Sequence, residues 1–174
     1  LLKAGTQDRL SEIIDLVLGD LAPAKGEILL RGQSLDMFKP GTVGWIPAHG
    51  GLISNLKTWE NITLPLWYHN KRQIKDTEDK VIYWLRELAI DSETWEAFMY
   101  SPVARLKPDE HKRAGVLRGL VLSPELLVID AGLFDEVDAA NASKWIAILE
   151  KYVTEVKSRA VLVVAGAVTS LPWK

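Results

Sequence analysis

Apolar and polar positions follow two periods along this chain, and the switch from one to the other marks its elements. Leu126-Leu127-Val128-Ile129 is a continuous apolar run behind the breaker Ser123-Pro124, the pattern of a strand buried on both faces of a parallel sheet. It stops at a carboxylate, Asp130, after which small Ala131 and Gly132 let the chain leave the sheet. Residues 42–46 and 160–165 read as companion strands, 26–32 as a glycine-bracketed one, and Leu1-Leu2 as the end of another. Between them the apolar positions take up helical spacing. Helices are predicted over 10–18, closed by Gly19 and capped by Thr6 or Asp8, and over 58–69, where Pro65 forces a bend or a restart. Further helices are predicted over 81–88, 92–99, 108–122 and 141–156. Pro108 opens the 108–122 helix, with Asp109 and Glu110 in its first turn, where they suit the dipole. Trp145, Ile146, Ile148, Leu149, Tyr152 and Val153 form the apolar face of the last helix, and 70–80 reads as a charged, solvated connection.

Strands alternating with helices predict an α/β fold with a mostly parallel sheet. Residues 57–107 are almost all helix and read as a helical subdomain inserted into a core formed by 1–56 and 108–174. An acid at the C-terminal end of a buried parallel strand stands where open α/β sheets bind ligands. Asp130 is therefore a candidate site residue as well as a cap at a strand end.

Composition narrows the function classes. The chain has 174 residues, enough for one domain with a real core, and its net charge of −2 offers no general basic surface for nucleic acid. Lys71-Arg72 is a solvated pair rather than a nucleic-acid patch. There is no cysteine, hence no disulfide framework. No apolar run approaches the roughly 18 residues of a membrane span. His49, His69 and His111 lack ligand spacing, which argues against zinc, and no Ser sits in a nucleophile elbow. The chain opens on Leu1 inside an apolar segment, so a missing N-terminal portion is expected. Of the seven tryptophans, Trp59, Trp67, Trp84, Trp95 and Trp145 fall in helix-like segments, where core or interface packing is the default role.

One run carries a family resemblance. LKPDEHKRAGVLRGLVLSPELLVID, Leu106 to Asp130, resembles without gaps the signature-helix-to-Walker-B stretch of the nucleotide-binding domain of ABC transporter ATPases, with Arg113, Arg118, Leu120, Pro124 and Asp130 at the family's usual places. GLISNLKTWENITLPLWYH (Gly51 to His69) is similar to the stretch after the Q-loop, and its Glu-Asn-Ile and Leu-Pro-Leu pieces resemble the ATPases of Mce/Mla-type lipid transporters. GDLAPAKGEILLRG (Gly19 to Gly32) resembles the segment after the P-loop helix. The resemblance spans nearly the whole chain, without the family's first antiparallel strands or its C-terminal end. It implies a P-loop NTPase (RecA-like) fold, ATP and Mg²⁺ as cofactors, a membrane permease as partner and a dimer, homo- or hetero-, with an ABC ATPase subunit.

The letters that carry chemistry depart from the family. A P-loop works because successive backbone N–H groups wrap the phosphates while a Lys reaches the β/γ oxygens. Here the aligned loop is Gly5, Thr6, Gln7, Asp8, Arg9, Leu10 and Ser11 after Ala4, so Leu10 replaces the Lys and Asp8 adds a negative charge. Ser11 and Asp130 match the Mg²⁺-binding hydroxyl and acid. The Q-loop Gln falls on Ala48, beside His49; the catalytic Glu falls on Ala131; and the switch His falls on Gly166. The signature becomes Leu106, Lys107, Pro108, Asp109 and Glu110, in which Pro108 has no N–H and the two acids repel phosphate. Asp138 resembles the D-loop Asp one residue late.

These substitutions point to an ABC ATP-binding subunit with an eroded active site, an ATPase by family that does not catalyse. It would be a non-catalytic or weakly nucleotide-binding component of a transport complex, cytoplasmic and peripheral to the cell membrane. The alternatives are an active ABC ATPase using Arg9, Ser11 and Asp130, and a soluble scaffold or regulatory protein. The helical subdomain and the loop 48–55 would form the family's docking groove for a permease, with Trp59 and Trp67 near it.

Overall fold

The structure, a computed structural model, describes residues 2–34, 39–68 and 74–166. Leu1, His69, Lys71 and Arg72, all named above, lie outside the described residues. In chain order the elements are β1 (Leu2–Lys3), α1 (Gln7–Leu18), β2 (Leu29–Leu30), β3 (Gln33–Ser34), β4 (Val43–Ile46), α2 (Thr58–Tyr68), α3 (Ile74–Glu87), α4 (Trp95–Tyr100), α5 (Pro108–Leu122), β5 (Leu126–Asp130), α6 (Ala139–Glu155) and β6 (Ala160–Ala165). Short 3₁₀ turns cover Ser92–Thr94, Val103–Arg105 and Ala131–Phe134.

Four strands form a parallel sheet in the order β1-β6-β5-β4. β5 pairs on both edges, with Val43 opposite Leu126, Ile46 opposite Ile129, and Asp130 opposite Val164. This double pairing is why Leu126 to Ile129 carries no polar residue, since both faces of the strand are buried. Successive side chains still part to opposite sides. Leu127 and Ile129 join the larger core with α5 and α6, whereas Leu126 and Val128 join a smaller one with Leu10 and Ile14 of α1. The larger core runs without a break into Ile62 and Leu66 of α2, Val81, Trp84 and Leu85 of α3, and Leu88 just past its end.

Local chemistry explains the element ends. Thr6 caps α1, its Oγ1 accepting from the Arg9 N–H at 3.4 Å, and Gly19 closes it with a left-handed φ of 83°. At the start of α2, Glu60 Oε2 accepts from the Lys57 N–H at 2.7 Å. Next to it, Asn61 is fully buried and holds the loop before the helix: its Oδ1 accepts from the Ile53 N–H (2.7 Å) and its amide donates to the carbonyls of Ile53 (3.0 Å) and Lys57 (3.1 Å). α2 continues through Pro65 as one element rather than restarting, although Pro65 supplies no N–H to the carbonyl of Asn61. α5 is buried nearly all round after its first turn, and Gly115 lets it lie against Gly50: a Cβ on Gly115 would come within 2.4 Å of the Gly50 Cα. Arg118 secures that contact, donating to the carbonyls of Gly51 (2.7 Å) and Gly50 (3.1 Å); burial pushes its pKa down.

Two expectations are corrected. The glycine-bracketed run 26–32 is not a strand of the main sheet. Arg31 (φ 54°) and Gly32 (φ 76°) turn the chain at once, so Leu29–Leu30 pairs antiparallel with Gln33–Ser34 in a separate two-residue hairpin. The charged stretch 74–80 is not a connection but the first half of α3.

Candidate functional site

Parallel strands end on the same side, and that is where this chain brings its candidate residues together. β1, β4, β5 and β6 finish at Lys3, Ile46, Asp130 and Ala165, with neighbouring ends within one residue of register across the sheet. The segments that follow therefore converge on a cavity of about 460 Å³. Leu10, Ala48, Asp130 and Gly166 line it, drawn from four separate stretches of sequence. Pro108 and His111 reach it from the start of α5, and His49 from the loop after β4. Lys112, Asp135 and Glu136 line it too, and no pattern in the sequence singles them out.

Leu10 is 3% exposed and packs with Ile14, Val128 and Val164, part of the core between α1 and the sheet. The helix has already begun at Gln7, so the N–H groups of Arg9 and Leu10 are committed, to Thr6 Oγ1 and to the Thr6 carbonyl at 3.1 Å. Thr6, Asp8, Arg9 and Ser11 are exposed, and Ser11 is not part of the cavity lining. Gly5 has nothing within 4 Å of where a Cβ would stand, so no tight backbone approach requires it.

Asp130 has a structural task. Its Oδ1 accepts from the Gly132 N–H at 2.8 Å and caps the 3₁₀ turn after β5. Ala131 is fully buried in the larger core and does not line the cavity. Ala48 lies against Gly132, a Cβ on which would be 3.0 Å from the Ala48 Cβ. Lys112, 8% exposed, donates from Nζ to the Asp135 carbonyl. Among the described residues the cavity therefore carries three carboxylates, Asp130, Asp135 and Glu136, against one ammonium that is already engaged. Among the described residues no group of three or more His, Cys, Asp or Glu side chains is placed to hold a metal ion.

The start of α5 is similarly occupied. Glu110 Oε2 accepts from the Lys107 N–H at 2.8 Å, and Asp109 pairs with Arg113 at 3.5 Å, one turn on. Leu106 is half-buried against the larger core. Asp138 caps α6: the Asn141 backbone N–H (3.0 Å) and then the Asn141 side chain hold its carboxyl below the ordinary value.

No protein-family model matches the sequence. The molybdate/tungstate import ATP-binding protein WtpC of Pyrococcus horikoshii is 27% identical over 142 residues, covering 80% of this chain and 39% of that protein. The phosphate import ATP-binding protein PstB of Saccharolobus solfataricus is 25% identical over 163 residues, covering 91% of this chain and 60% of that protein. A dimeric bacterial ABC transporter cassette superposes with a TM-score of 0.75 at 17% identity, over 94% of this chain and 72% of that one. The fold is that of an ABC transporter ATP-binding domain. The sequence relatives, ATP-binding proteins of import systems, support relationship to the same family. This chain spans only part of their length, and no helix among the described residues of the ABC-type domain is long and apolar enough to cross a membrane.

Proposed function

We propose that this ABC-type domain keeps the family's fold but not its grip on a triphosphate, and acts as a non-catalytic or weakly nucleotide-binding component of a transport complex. The observation that carries this reading is Leu10. At the place of the P-loop Lys stands a side chain buried in the core under α1. Unit charges about 4 Å apart at a protein surface exchange on the order of 4 kcal/mol, so losing that cation removes a large part of phosphate affinity. The backbone cradle is missing as well, because the N–H groups of Arg9 and Leu10 are spent inside the helix. The carboxylates of the cavity repel an anion. The residues present do not fit Mg²⁺-ATP.

The remaining positions agree. Ala48, Ala131 and Gly166 offer nothing to polarise or orient water, and general acid–base assistance alone is typically worth about 10²–10⁴-fold. Of the Mg²⁺ pair, Ser11 lies outside the cavity lining and Asp130 caps a turn. Lys107, Pro108, Asp109 and Glu110 are engaged in starting α5. What the domain offers a complex is its surface: 57–107 serves as the helical subdomain, and with the loop 48–55 it forms the docking face for a membrane permease at the cytoplasmic side. Dimerisation with an ABC ATPase subunit belongs to the same reading. The likeness to Mce/Mla-type ATPases rests on Glu60-Asn61-Ile62 and Leu64-Pro65-Leu66, while the named relatives import molybdate, tungstate or phosphate, so no cargo is proposed.

Thermal unfolding with and without millimolar Mg²⁺-ATP, together with phosphate release, tests the proposal. A ligand at a hundred times its Kd stabilises by about 2.7 kcal/mol. No magnesium-dependent rise in Tm and no turnover are expected; a clear rise with turnover would establish an active ATPase working through Arg9, Ser11 and Asp130. Copurification with a permease separates a transport component from a free scaffold.

A further inference from the structure

Two helices far apart in sequence meet through a matched pair of side chains on each. Tyr83 and Glu87 stand four residues apart on α3, and Lys151 and Glu155 four apart on α6, so each pair lies on one face of its helix. Lys151 Nζ pairs with Glu87 at 2.7 Å and lies 5.0 Å from the centroid of the Tyr83 ring, whose hydroxyl donates to Glu155. The ammonium of Lys151 is held above its ordinary pKa, first by Glu87 and then by Tyr83. Beneath these contacts Trp84 meets Tyr152 at 6.1 Å between ring centroids. Tyr152 in turn donates to the Pro124 carbonyl just before β5. Arg159 lies 4.4 Å over the Tyr152 ring, pairs with Glu155 at 3.6 Å and donates to Ser123 Oγ at 3.3 Å. The contacts thus run from α3 through the last turns of α6 to the start of the central strand.

We propose that Tyr83, Glu87, Lys151 and Glu155 form a latch that decides whether α3 moves with the sheet or apart from it. Closed, the latch ties α3 to α6 and, through Tyr152 and Arg159, to the start of β5. Open, α3 keeps its apolar face of Val81, Trp84 and Leu85 in the larger core and Arg86 over the Trp95 ring, but loses its tie to α6. Water reaches the ion pair, with side-chain exposures of 40% at Lys151 and 29% at Glu87, so salt weakens the latch. The latch acts whether or not the cavity holds a nucleotide.

Hydrogen exchange resolved by segment tests this. In the variant combining Lys151→Met with Tyr83→Phe, amides of residues 81–88 should exchange roughly tenfold faster, while those of α5 and β5 stay at the parent rate. Lys151→Arg, which keeps the pairing, should exchange like the parent, and raising salt should move the parent towards the variant. Unchanged exchange in residues 81–88 would overturn the proposal. So would equal acceleration in α3, α5 and β5, which would mean that the contact only adds to global stability.

Discussion

At the scale of single residues, Leu10 shows how one side chain can belong to a core and to a cavity wall at once. Its burial against Val128 and Val164 means that putting back a cation is not a neutral repair. Leu10→Lys is expected to cost about 3 kcal/mol or more in a urea unfolding titration, because an ammonium would enter an apolar layer without a partner. It should also fail to restore an ATP-dependent rise in Tm, since the backbone N–H groups beside it stay committed. Asn61 is the opposite case, a buried polar residue whose side-chain oxygen and amide are both used. Asn61→Ala leaves the Ile53 N–H without its partner and removes one of the two donors to the Ile53 carbonyl, which keeps the Leu56 N–H, and should cost about 1–3 kcal/mol by the same titration. Asp138 yields a pH signature. Its folded-state pKa lies below the ordinary 3.8, so its contribution is complete above 3.8 and disappears as pH falls through the folded value. Asp138→Ala should therefore lower Tm at neutral pH, and the gap to the parent should close as the solution is acidified below 3.8.

Among the elements, β5 and α5 were the most legible in the sequence. An unbroken apolar run behind Ser123-Pro124 admits few readings, and Pro108 with two acids marks a helix start without ambiguity. The hairpin was not legible. Its turn depends on left-handed φ at Arg31 as well as Gly32, and an arginine gives no warning of that. The first half of α3 was hidden for another reason: its apolar stripe begins only at Val81, so the charged residues before it carry no periodic signal. In the cavity, Leu10, Ala48, Asp130 and Gly166 were found through family spacing, whereas Lys112, Asp135 and Glu136 depend on how α5 and the turn after β5 approach each other. That approach of α5 has a testable weak point. Gly115→Ala places a methyl group 2.4 Å from the Gly50 Cα, so backbone rather than a flexible side chain must shift, and a loss of about 1–3 kcal/mol is expected in thermal or urea unfolding.

For the molecule as a whole, the larger core extends from the sheet through α2 and α3 without interruption. The helices between β4 and β5 should therefore unfold together with the sheet. Far-UV circular dichroism and tryptophan fluorescence are expected to report one coincident transition, and two separated transitions would show that the helical segment has a stability of its own. The alternation along β5 also has a consequence for how the chain tolerates change. Its odd and even residues feed two different cores, and its last residue supplies a carboxylate to the cavity. Losing one residue just ahead of the strand would exchange the two sets of side chains and swing Asp130 to the opposite face. Packing and cavity chemistry are thus indexed by the same count of residues, and an insertion or deletion there cannot disturb one while sparing the other.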